Sequence, residues 1–304
     1  MAETVDVGIR LALYLDLMLI FGLVSFVAYA VPASAKGNLP MLPRIIGFGA
    51  LAGAALSGLS LVVVTAAMSG IPLKEIDAAT VETVATATAT GIAGVVRILA
   101  LLLLATIAAS TGGTRFACVA MIACGGVAVA SLACLGHGAA DDGMAGMLHI
   151  GADIIHLIAA SVWLGALAGL SLMLFTPVIR FDAGHRQRSH KALADFATVG
   201  SVVVGLIVLT GAVNSWFLVG PGNALSLGTT GYGQLLLAKL GLFAAMLVLA
   251  ASNRFRLTPA LAAADDTGAA IRALRISLAF EVFCAVGVVA LVAVLGTLAP
   301  PVSG

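Results

Sequence analysis

The stretch IAGVVRILALLLLATIAAS, residues 92–110, decides the fold. As a helix rising 1.5 Å per residue it reaches about 28 Å, close to the roughly 30 Å of a bilayer's hydrocarbon core. Its single charge is Arg97. A second run, GSVVVGLIVLTGAVNSWFLVG at residues 200–220, carries no charge. The rest of the chain follows suit: 304 residues, 61% hydrophobic, 10% charged, with a mean hydropathy of +1.15. A soluble domain is roughly 45–50% apolar and about 25% charged. The composition therefore specifies an all-α, polytopic membrane protein.

Apolar segments centre on about residues 9–31, 43–68, 91–110, 114–135, 149–175, 195–219, 233–252 and 274–298, which predicts a bundle of eight transmembrane helices. No linker or low-complexity tract divides them, so residues 1–304 read as a single transmembrane domain without a separate soluble domain. AYAVPASA (residues 28–35) offers signal-peptidase-like sites, but the acidic leader MAETVDVGIR argues for a retained first helix. The connection IPLKEIDAATVETVATATATG (residues 71–91) fits either a surface amphipathic helix or an irregular loop.

Lysines and arginines set the expected orientation. Loops following the first, third, fifth and seventh spans hold Lys36, Arg44, Arg115, Arg180, Arg186, Arg188, Lys191, Arg254, Arg256, Arg272 and Arg275. The other side holds only Arg10 and Lys74, while Arg97 and Lys239 fall within spans. Both termini are thus expected outside. No basic cluster suggests a nucleic-acid face, and no phosphate loop, dinucleotide fingerprint or nucleophile elbow is present. Neither an enzyme nor an ATP-driven pump is expected. Cys118, Cys124, Cys134 and Cys284 lie scattered without CxxC spacing and read as small buried hydrophobes.

Ionisable groups inside a bilayer are costly and mark function by default. Asp16, Arg97, Asp153, His156 and Lys239 all come out about two turns or so below the outer surface, whereas Glu281 falls in the inner half. The segment LGHGAADDGMAGMLHIGADIIHLIAASVWLG (residues 135–165) concentrates the metal-binding chemistry. His149, Asp153 and His156 are spaced i, i+4, i+7, which aligns them on one helical face. Imidazole suits copper or zinc, thioethers select Cu(I), and a carboxylate can ligate or orient a histidine. His137, in the preceding loop, and the thioethers of Met144 and Met147 complete the candidate site. Asp16, Arg97, Lys239 and Glu281 are candidates for charge pairing or for the ion's pathway, with Lys239 or Arg97 expected within salt-bridge reach of Asp16 or Asp153. His185 and His190 sit in a loop whose arginines already explain it. Gly165, Gly169, Gly205 and Gly211 are expected at close helix contacts. Trp163 and Trp216 fit either core positions or interface anchors.

HLIAASVWLGALAGL (156–170), LTGAVNSWFLVG (209–220), YGQLLLAKLGLFAAMLVLAASNRFRLTP (232–259) and AFEVFCAVGVVALVAVLGTLAP (279–300) occur in this order. Together they resemble the CopD copper-resistance membrane proteins over roughly the second half of the chain. The resemblance implies a bacterial inner (plasma) membrane protein that binds copper, as Cu(I) or Cu(II), on the periplasmic side and imports it or hands it on. It also implies a CopC-like periplasmic partner, here on a separate chain, beside membrane lipid. Its outer histidine and aspartate positions correspond to His137, His149, Asp153 and His156, and its polar positions to Lys239, Asn253, Arg254 and Glu281. A b-type cytochrome is the competing class, but His149 and His156 on one helix cannot straddle a porphyrin. A structural or assembly subunit is the third. Single cysteines placed at Ser303 and Ser189 should be labelled by an impermeant reagent from opposite sides of the membrane; labelling of both from one side would overturn the topology.

Overall fold

The computed structural model describes residues 2–31, 41–110, 114–135, 143–175, 183–259 and 267–303. Within hydrocarbon every backbone N–H and C=O must be satisfied inside the segment, so apolar runs of this length become helices. Nine helices form among the described residues: α1 (Ala2–Ala30), α2 (Leu42–Ser69), α3 (Ala78–Ala87), α4 (Ala89–Ser110), α5 (Arg115–Ala130), α6 (Gly143–Leu174), α7 (Ala183–Leu218), α8 (Gly231–Ser252) and α9 (Thr267–Leu295). All except α3 belong to segments long and apolar enough to cross a membrane, eight in total, and no strand occurs among the described residues. The protein is a multi-pass membrane protein.

Four helices, α1, α6, α7 and α9, begin six to twelve residues before their apolar cores. The first begins at Ala2 rather than near residue 9, and α7 begins at Ala183, twelve residues before its expected span. Hydropathy reports only the part that lipid covers; a helix continues into the polar zone wherever its residues are helix formers. The ambiguous connection after α2 resolves as a short helix. Asp77 caps α3 by accepting from the Thr80 amide at 2.8 Å. The Thr80 hydroxyl and amide hold this exposed carboxyl below the usual carboxylate range.

The first and sixth helices form the centre and bury the largest shares of their spans. On one side of this pair α1 meets α2 and α5, and α4 packs against both α2 and α5. On the other side α6 meets α7 and α9, and α9 pairs with α8. One apolar core runs through both groups, from Ile46 and Leu101 to Leu167 and Leu274. Large apolar side chains such as Phe48, Leu99, Phe116, Val248 and Phe283 face outward, as lipid-facing surface requires.

The central contact is made backbone to backbone. A Cβ on Gly22 would stand 2.1 Å from the Ser161 carbonyl oxygen, and one on Gly165 would stand 2.0 Å from the Gly22 carbonyl carbon. Gly169 admits the Phe26 ring in the same way, with 2.3 Å to its nearest atom. Of the four glycines expected at close contacts, these two serve that purpose. Gly205 has nothing within 4 Å, and a Cβ on Gly211 would meet the His156 ring at an ordinary 3.5 Å.

Both chain ends lie at one end of the bundle, called here the terminal end. Arg10 donates to the Leu135 carbonyl at 3.3 Å and lies 3.2 Å from where a Gly296 Cβ would be. Asn223, after α7, donates to the Pro301 carbonyl at 3.3 Å. Gly165→Val should cost about 3 kcal/mol or more by overpacking, whereas Gly205→Ala should stay within about 0.5 kcal/mol of the parent; thermal unfolding in detergent checks both.

Candidate functional site

A cavity of about 410 Å³ opens among α1, α6, α7, α8 and α9, with Leu295, Gly296 and Tyr232 placing its mouth at the terminal end. Its wall on α6 is a single stripe, His149, Asp153, His156, Ala160 and Trp163, flanked by Leu157 and Leu164, the i, i+3, i+4 spacing of one helical face. The expected alignment of His149, Asp153 and His156 is therefore present, and it faces protein and cavity rather than lipid. His149 and His156 stand about 10 Å apart along the axis.

The seventh helix holds each of the three. His149 is buried and stacks on Phe217, with ring centroids 4.7 Å apart and planes 8° off parallel. The Asn214 amide donates to Asp153 Oδ1 at 3.2 Å. His156 Nδ1 lies 2.9 Å from Thr210 Oγ1. The Thr210 hydroxyl has one proton, and it goes to the Leu206 carbonyl at 2.6 Å. With its proton on that carbonyl, Thr210 can accept from His156 Nδ1–H, the tautomer of the neutral imidazole that leaves the lone pair on Nε2. A histidine fixed through one nitrogen with the other left basic is how proteins prepare a metal ligand.

The remaining candidates divide. His137 lies outside the described residues, as do the side chains of His185 and His190. Met144 and Met147 are 80% and 68% exposed and are absent from the cavity wall. Met18 on α1 and Met246 on α8 are buried and line the cavity instead. Among the described residues no three His, Cys, Asp or Glu side chains converge closely enough to hold one ion.

The charge pairing takes a different form from the expected salt bridges. Among the described residues the ion pairs within 4 Å are Arg10–Asp6 and Lys74–Glu75. Lys239 and Asp153 line the same cavity and interact across it, but without contact. Arg97, 1% exposed, donates to the hydroxyls of Ser57 at 3.0 Å and Ser131 at 3.4 Å. Asp16 faces Gly49 and Gly53, and its Oδ2 has no hydrogen-bond partner. Glu281 accepts from Trp163 and Asn253. Neutral donors and acceptors replace ions because a hydroxyl or amide is far cheaper to bury than a second charge. Trp163 is a core residue, whereas Trp216 is 66% exposed near the terminal end of α7.

Sequence reasoning passed over Thr210, Phe217, Met18 and Met246. A signal existed for one: Thr210 and Asn214 form an i, i+4 polar pair on α7, matching His156 and Asp153 on the neighbouring helix.

Residues 1–147 match the family profile described as "Copper resistance protein D-like, N-terminal domain", and residues 190–295 match "Copper resistance protein D". The Copper resistance protein D of Pseudomonas syringae pv. tomato is 38% identical over 99% of this chain and 98% of its own length. The chain belongs to the copper resistance protein D family. The resemblance seen in the second half of the sequence thus extends to the first. The Inner membrane protein YebZ of Escherichia coli is 32% identical over 45% of each chain. The Copper transport protein CutJ of Bacillus subtilis is 36% identical over 33% of this chain and 17% of its own length. No solved structure matches.

The hydroxyl shell of Arg97 gives a stability test. Ser57 and Ser131 donate within their own helical segments, to the Gly53 and Ala128 carbonyls, so Arg97→Met orphans neither. Replacing both serines by alanine strips a buried guanidinium of both acceptors, at about 1–3 kcal/mol for each group left unsatisfied. Thermal unfolding should rank the double serine variant below Arg97→Met.

Proposed function

We propose that the cavity at the terminal end takes copper from the outer, periplasmic side of a bacterial inner membrane, and that the protein imports it or hands it on in copper homeostasis and resistance. The observation that carries this reading is His156, held at Nδ1 by Thr210, on the same cavity stripe as His149 and Asp153. His149 and the loop residue His137 form the entry, and His156 with Asp153 forms the deeper station. Met18 and Met246 supply the soft donors earlier sought in Met144 and Met147, and suit Cu(I). Lys239 shares the cavity with Asp153 and balances its charge when the ion leaves.

The excess of lysine and arginine in alternate loops supports the orientation. The relatives' names speak of copper resistance and copper transport, which supports a non-enzymatic role. The continuous core supports residues 1–304 acting as one unit. A CopC-like periplasmic chain is the partner that would deliver metal to the mouth.

Copper binding should be lost or greatly weakened in His149→Ala and in His156→Ala, with the fold intact, and unchanged in His185→Ala. Thr210→Val should weaken binding by about 10–100-fold, as losing a histidine's orienting partner does. Copper quantification and competition titration on purified protein check these outcomes. Unchanged binding in both outer histidine variants would rule the site out.

A further inference from the structure

Beneath the cavity, toward the end of the bundle away from the chain termini, lies a second polar cluster that the copper reading does not use. Glu281 on α9 is 2% exposed. Trp163 Nε1 donates to its Oε1 and Asn253 Nδ2 to its Oε2, each at 3.0 Å. Three chain segments therefore meet at one carboxyl: α6, the turn after α8, and α9. Two further oxygens there are buried without a hydrogen-bond partner, Asn253 Oδ1 and Ser277 Oγ. Ser277 stands four residues before Glu281 on the same helical face.

Among the described residues no cation neutralises this carboxylate. The charged and titratable groups whose side chains are described on the elements packed against it are Asp6, Arg10, Tyr14, Asp16 and Tyr29 on α1, and His149, Asp153 and His156 on α6. Tyr232 and Lys239 lie on α8, Arg254 and Arg256 on the following turn, and Arg272, Arg275 and Cys284 on α9 itself. None forms an ion pair with Glu281 within 4 Å. Arg254 donates to Ser201 and Arg275 to the Leu174 carbonyl, while Lys239 lines the cavity. A buried carboxylate held only by neutral donors costs several kcal/mol more than its neutral form. Two carboxylate oxygens, one amide oxygen and one hydroxyl also fall short of the roughly six to eight oxygens that a hard cation such as calcium collects. A proton needs only one acceptor, and Asn253 Oδ1 and Ser277 Oγ are two acceptors without donors.

We propose that Glu281 is a proton-binding site of the half of the bundle away from the chain termini, and that Trp163 links its protonation to the floor of the cavity. Binding converts the carboxylate to a carboxylic acid whose new O–H donates to Ser277 Oγ. The proton comes from water and returns to it. The Trp163 ring lines the cavity and packs edge-on against Phe243, with centroids 5.9 Å apart. Its N–H bond to a carboxylate is charge-assisted, and roughly halves in strength when the acceptor becomes neutral. Protonation thus loosens the side chain that closes the cavity from below. A proton-linked copper pathway would rest on the copper reading; the proton site stands without it.

Metal-free protein in lipid nanodiscs tests the site. In Trp216→Phe, Trp163 is the remaining tryptophan, and its emission should follow a single one-proton transition with pH. Glu281→Gln in that background should abolish the transition. Ser277→Ala should shift its midpoint by about one pH unit, a tenfold change in proton affinity, which carries the test if Glu281→Gln does not fold. Emission that is flat with pH in Trp216→Phe overturns the proposal. So does a transition that survives Glu281→Gln, since it then belongs to another group such as His156, or a midpoint unmoved by Ser277→Ala. Loss of copper binding in the cavity histidine variants leaves this titration in place, so the two readings fail separately.

Discussion

The contact between Gly22 and Gly165 is the constraint on which the rest of the molecule depends. Lipid is as apolar as the helices it surrounds, so helices associate there through close packing rather than by escaping water. Where two backbones touch, the pair is fixed in height and rotation. The contact between α1 and α6 fixes which face of α6 turns away from α1, and that face carries His149, Asp153 and His156 toward α7 and the cavity. A side chain at either glycine would force the central helices apart and open the cavity wall.

Around this pair the protein handles buried charge in a consistent way. Arg97 rests on two serine hydroxyls, Asp153 on an asparagine amide, and Glu281 on an indole and an amide. A direct salt bridge would bury two ions and demand good geometry to repay their desolvation. Neutral partners cost less.

The seventh helix has a role that its own composition hides. It shows no strongly polar face, yet Thr210, Asn214 and Phe217 each hold one residue of the α6 stripe. Thr210 also gives its hydroxyl proton an acceptor on its own backbone, which leaves its oxygen able to accept from His156. Two neutral, weakly polar residues thereby decide the chemistry of a histidine and an aspartate on another helix.

The sequence alone determined the class, the eight spans and the alignment of His149, Asp153 and His156, because each rests on local quantities: apolar length against bilayer thickness, and spacing against the helical period. It also carried the family, through ordered motifs in the second half of the chain. The partners of Arg97 and Glu281 were beyond it, since charge predicts attraction to opposite charge while packing decides what lies within reach. Nor could it rank Met18 and Met246 above Met144 and Met147. All four are thioethers near spans or inside them, and only the rotation of α1, α6 and α8 about their axes turns the first two into the cavity and the last two away from it. That rotation is set by glycine contacts between helices distant in sequence, and no local pattern encodes it.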